Sequence, residues 1–182
     1  MTFENFYNSK SYKSDKGTVH DYINSFYNNE FTDIKNNKIK LVEIGIFNGN
    51  SLRLFGEWFV NGTIIGIDNG MYMEDGWREE VEQIPNTTAI FEDAYSDYII
   101  DKFEDESLDY VIDDGPHTVE SQILCYEKWF KKIKKGGKLI IEDVLMVDEL
   151  TRKFNEMGAD FEIYDTRFKS RKADDVIFVF KK

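Results

Sequence analysis

Short β-branched runs alternate along this chain with longer stretches of helical period. Residues 39–45, 63–68, 87–92, 108–113 and 138–143 are apolar almost throughout and predict five buried strands. Between them, residues 51–60, 74–83, 96–103 and 119–133 predict helices. In the last of these Val119, Ile123, Tyr126, Phe130 and Ile133 recur at steps of four and three, which places them on one helical face. Such alternation implies a parallel sheet with right-handed crossovers. The end of the chain breaks the pattern. After a helix over 147–157, strands at 161–164 and 176–180 are separated by about ten polar residues, too few for a crossover. The final strand is therefore expected to be antiparallel and to sit beside the fifth. The fold class is α/β: a Rossmann-like, doubly wound, mostly parallel sheet of seven strands in the order 3-2-1-4-5-7-6. Before the sheet, residues 1–38 read as a polar arm followed by one helix over 19–31.

A length of 182 residues fits one domain, so the arm and helix and the core at 39–182 are expected to form a single unit. Hydrophobic residues make up 41%, enough for a core, which excludes a wholly disordered chain. The net charge of −12 argues against a nucleic-acid partner, because non-specific affinity for nucleic acid comes from cations that neutralise phosphates. One cysteine, Cys125, allows no intrachain disulfide, and neither a basic-then-apolar leader nor a long apolar run is present. These features predict a soluble, cytoplasmic protein with no membrane partner.

Ligands of α/β sheets bind outside the carboxyl ends of the strands. The first strand runs into Glu43-Ile44-Gly45-Ile46-Phe47-Asn48-Gly49-Asn50-Ser51. Gly45 and Gly49 are four apart, which does not satisfy the Gly-x-Gly-x-x-Gly of a dinucleotide site. Glu43 would repel a pyrophosphate and suits a ligand that carries a cation, such as S-adenosylmethionine. A plain strand–turn–helix with Ser51 as N-cap explains the same residues. Asp68, at the end of the second strand, can accept hydrogen bonds from ribose hydroxyls, and Asp93, after the third, could meet an adenine amino group. The fourth strand ends in Asp113-Asp114-Gly115-Pro116-His117 and the fifth in Glu142-Asp143. Two acidic pairs on neighbouring strand ends, with no lysine or arginine close in sequence, call for a cation. Oxygen ligands of this kind suit magnesium, held by Asp114, Glu142 and Asp143. The competing reading is that both pairs are solvated loop acids and that His117 only begins a helix.

Taken together the motifs resemble class I methyltransferases of the macrocin and mycinamicin type, which methylate hydroxyls on antibiotic sugars. The resemblance rests on Asp15-Lys16-Gly17-Thr18-Val19-His20-Asp21-Tyr22, on the loop from Glu43 to Ser51, on Ile112 to His117 and on Gly136 to Asp143. It covers roughly residues 13–144; Pro116 stands where the family has serine. It implies an S-adenosylmethionine-dependent O-methyltransferase with Mg²⁺ on Asp114, Glu142 and Asp143 and His117 as general base. The cofactor set becomes Glu43, Gly45, Gly49, Ser51, Asp68, Asp93 and Asp113, with a small-molecule or sugar hydroxyl as acceptor. Self-association is left open. A domain that binds the cofactor but has lost the chemistry is the alternative, and the missing glycine fingerprint counts against a nicotinamide oxidoreductase.

Overall fold

The β-branched runs pair into one seven-stranded sheet in a computed structural model that describes residues 1–72 and 77–182. The strands are β1 (Lys40–Ile44), β2 (Thr63–Asp68), β3 (Thr87–Phe91), β4 (Leu108–Asp113), β5 (Ile133–Ile141), β6 (Phe161–Asp165) and β7 (Val176–Lys181). Their order is β3-β2-β1-β4-β5-β7-β6, as the alternation predicts. The first five run parallel to one another, and β7 pairs antiparallel with both β5 and β6.

The period of two sends alternate side chains to opposite faces. Leu41, Tyr110, Ile112, Ile140 and Ile177 join one core with α1 (Phe3–Asn8), the segment Ile23–Phe31 and α4 (Asn50–Trp58). Val42, Val111, Leu139, Ile141 and Phe178 join the other with α6 (Asp97–Ile100), α7 (Val119–Trp129) and α8 (Val147–Glu156). The remaining helices are α2 (Asp15–Thr18), α3 (Asn28–Phe31), α5 (Trp77–Glu82) and α9 (Arg167–Ser170).

Most departures from the sequence reading lie at the ends of elements. The expected helix over 19–31 is a π-helical turn, Ile23–Tyr27, leading into α3. The polar arm holds α1, which Thr2 caps and which Phe3 anchors edge-on to Phe31 and Trp58. Packing of isolated aromatics, not periodicity, makes this helix. Helix α7 stops at Trp129, and Ile133 belongs to β5, paired with Leu108. The helix expected over 96–103 is the single turn α6, and that over 74–83 appears as α5, with residues 74–76 outside the described residues. Helix α9 is one turn within the polar connection between β6 and β7. Among the described residues no helix is long and apolar enough to cross a membrane.

Candidate active site

The register of the sheet decides where the acids point. Ile44 is level with Asp113, and Asp113 with Ile141, so Asp114 and Glu142 follow at the same height on adjacent strands. Adjacent residues at the end of β4 face opposite ways, so Asp113 and Asp114 part, whereas Glu142 and Asp143 lie beyond β5 and both meet the N-terminal segment. Asp113 is buried on the α7 face, where its Oδ1 accepts the Tyr95 hydroxyl at 2.6 Å. Burial pushes its carboxyl up to about 6. Glu43, Asp114 and Glu142 turn to the other face, beneath the N-terminal segment.

There they meet a cation that no local pattern revealed. Lys16 on α2 is buried, with its Nζ 2.5 Å from Asp114 Oδ2, bonded to Glu142 Oε2 and 3.5 Å from Glu43 Oε1. Burial pushes the lysine down, but the three carboxylates outweigh it and hold the ammonium well above the ordinary lysine value. Tyr27 donates to Glu142 Oε1 at 2.6 Å, so both oxygens of that fully buried carboxylate have partners. Burial also raises Glu43, to about 7, against the pull of Lys16. Tyr22 donates to Asp143 Oδ1 at 2.7 Å. His20 lies between two acids, with Nε2 3.6 Å from Asp143 Oδ2 and Nδ1 3.5 Å from Asp175 Oδ1. The motif carrying Lys16, His20 and Tyr22 was visible in the sequence; its role as the partner of the strand-end acids was not, because those partners are about a hundred residues away.

In front of these acids a cleft of about 620 Å³ opens at the carboxyl ends of β1, β2 and β4. Gly45, Ser51, Asp68, Asp93, Asp114, His117 and Asp143 line it. Gly45 has φ +84, and a Cβ there would lie 2.0 Å from the carbonyl oxygen of Asp114, so only glycine lets β1 and β4 approach at this point. Gly49, at φ 72, caps α4. The carboxylate of Asp68 accepts from the backbone N–H groups of Ile46 and Gly70, both at 2.7 Å, and fixes the glycine loop. Glu43, Asp113 and Glu142 are buried behind the cleft wall. Three side chains present ligand atoms to a common space: Asp114, His117 and Asp143, within 4.8 Å of one another. His117 Nε2 is 3.9 Å from Asp114 Oδ1 and 3.8 Å from Asp143 Oδ2. His117 and Asp143 adopt φ +56 and +53, uncommon for side-chain-bearing residues, and both turn to the cleft. Among the described residues lining the cleft are five aspartates and no lysine or arginine.

A seven-stranded sheet in this order, with an acidic cleft over the carboxyl ends of its central strands, defines a class I methyltransferase fold. The chain belongs to the methyltransferase domain family, whose sequence pattern matches residues 42–144. It is 28% identical over 137 residues to demethylmacrocin O-methyltransferase of Streptomyces fradiae, covering 70% of this chain and 33% of that one. It is 29% identical over 126 residues to mycinamicin VI 2''-O-methyltransferase of Micromonospora griseorubida, covering 65% and 30%. The chain thus spans about a third of the length of these relatives. Among solved structures it superposes on the MycE methyltransferase of the mycinamycin pathway in complex with Mg and SAH, with a TM-score of 0.72 at 19% identity over 100% of this chain and 55% of that one.

Proposed function

We propose that residues 1–182 form one cytoplasmic domain that transfers a methyl group from S-adenosylmethionine to a hydroxyl of a small molecule or sugar, assisted by Mg²⁺. The charge of the cleft carries this reading. A wall of aspartates with no lysine or arginine among its described residues repels a pyrophosphate and attracts a sulfonium and an ammonium. The relatives named as O-methyltransferases support a hydroxyl acceptor. The net charge of −12 weighs against nucleic acid as that acceptor.

The residues divide the work. Gly45, Gly49 and Ser51 form the floor of the cofactor site. Asp68 has lone pairs left for ribose hydroxyls, and Asp93 serves the adenine end. Glu43 and Asp113 act on the bound cation from behind the wall. S-adenosylmethionine, when bound, supplies an electrophilic methyl group and leaves as S-adenosylhomocysteine. The open oxygens of Asp114 and Asp143, a few ångströms apart beside an imidazole, fit a divalent cation. Glu142, the third expected ligand, joins them only if its oxygens leave Lys16 and Tyr27. The metal, when bound, makes an acceptor hydroxyl more acidic. His117 takes the hydroxyl proton on Nε2, a role that contributes about 10²–10⁴ in rate.

Calorimetry with S-adenosylhomocysteine and with NAD tests the reading. Binding of S-adenosylhomocysteine, weakened by about 1–3 kcal/mol in Asp68→Ala, is expected. Binding of NAD alone would overturn it.

A further inference from the structure

Behind the cleft wall, Glu43, Asp114 and Glu142 form a cage of three carboxylates on one face of the sheet. Two of the three, Glu43 and Glu142, are fully buried. Neither oxygen of Glu43 has a hydrogen-bond partner of good geometry, although the Ser51 hydroxyl is near enough to draw on it and Lys16 Nζ stands 3.5 Å away. One ammonium is thus set against three carboxylates, and a buried acid without a donor is costly unless more positive charge reaches it. Hard divalent cations take such all-oxygen surroundings. The position is filled instead by a side chain that reaches in from a four-residue helix of the N-terminal arm.

We propose that Lys16 is a tethered counter-cation that competes with a divalent metal ion for the cage of Glu43, Asp114 and Glu142. While its ammonium is seated, Glu142 has no free oxygen, and Asp114 Oδ1 and Asp143 Oδ2 face the cleft beside His117. With the ammonium gone, the same three acids become a second, inner metal site. The cage stands on its own geometry; only the outer position rests on the function proposed above.

Titration with Mn²⁺, read by the electron paramagnetic resonance of the free ion and by the Tm with and without metal, tests this on the full chain. Lys16→Met keeps the apolar stem and removes the charge. It should bind Mn²⁺ at least tenfold more tightly than wild type and gain more Tm from it. Lys16→Arg, which keeps the charge, should show no such gain, and Lys16→Met combined with Glu142→Gln should lose it. Recovery of folded Lys16→Met only when Mn²⁺ is present is the same result in another form. Affinity equal to or weaker than wild type, or no folding of Lys16→Met with or without Mn²⁺, overturns the proposal. A wild-type chain that binds no Mn²⁺ while Lys16→Met does would count against the outer metal and leave the cage standing.

Discussion

Gly45→Ala tests whether the close approach of β1 and β4 builds the site. The new Cβ would stand 2.0 Å from the carbonyl oxygen of Asp114, 2.7 Å from its carbonyl carbon and 3.2 Å from Gly115 Cα. All three are backbone atoms, so no side chain can rotate away. At φ +84 an alanine also pays for the left-handed conformation, about 1–2 kcal/mol. Forcing the strand ends apart adds about 1–3 kcal/mol, the cost of overpacking. Gly136 supplies the control. Its φ is +83, but a Cβ there would meet nothing within 4 Å, so Gly136→Ala carries the conformational cost alone. Urea unfolding should place the Gly45→Ala midpoint below that of Gly136→Ala by about 1 M, given a slope of about 1–3 kcal/mol per molar. Calorimetry should show S-adenosylhomocysteine affinity falling more than tenfold in Gly45→Ala only, because the clash moves Asp114. Equal midpoints for the two variants would refute the argument that contact with β4, and not backbone conformation, requires glycine.

Phe154 on α8 is fully buried and packs against the rings of Tyr126, Phe161, Phe178 and Phe180. Phe154→Ala should cost about 3–5 kcal/mol in urea unfolding; a loss below about 1 kcal/mol would mean that the cluster closes over the void. Glu43 gives a dependence on pH. Burial lifts its carboxyl from 4.5 to about 7 against the pull of Lys16, so the folded chain holds the proton more tightly than the unfolded one. The stability it contributes is complete below the unfolded value and is lost as pH rises through the folded one, by about 3 kcal/mol at most. Wild type should therefore lose stability relative to Glu43→Gln between about pH 5 and pH 8. Parallel stability–pH curves for the two chains would show that Glu43 is not held as a buried, uncompensated acid.

The sheet was legible because its signal is local. Each of Lys40–Ile44, Thr63–Asp68 and Leu108–Asp113 is a short apolar run, and the missing helix-length connection before Val176 fixes the antiparallel end. The site was legible only in part. Asp68, Asp114, His117 and Asp143 reach the cleft because each follows a strand end, where chain order alone predicts exposure to ligand. The period of two turns Asp113 away to Tyr95, while Asp114 and Glu142 share one face and meet Lys16, an arrangement that the acidic pairs alone did not specify. The acids called for positive charge beside them, and Lys16 is one cation that meets them. Lys16 itself was not legible there, since it is 98 residues from Asp114 and 126 from Glu142 along the chain. Helix α1 escaped for a related reason: Phe3 has meaning only once Phe31 and Trp58 are beside it.

The place of β7 has a consequence for synthesis. It lies between β5 and β6 yet follows both in the chain, so β5 keeps an open edge until residues 176–181 have left the ribosome. That edge is Leu139-Ile140-Ile141, apolar residues that are fully buried once Phe178, Val179 and Phe180 pair with them. An unpaired apolar edge invites strands from other nascent chains. Lys134, Lys135 and Lys138 precede the run and Glu142 and Asp143 follow it, so charge stands on both flanks during the wait. Glu142 and Asp143 thus stand where flanking charge opposes pairing of an open apolar edge.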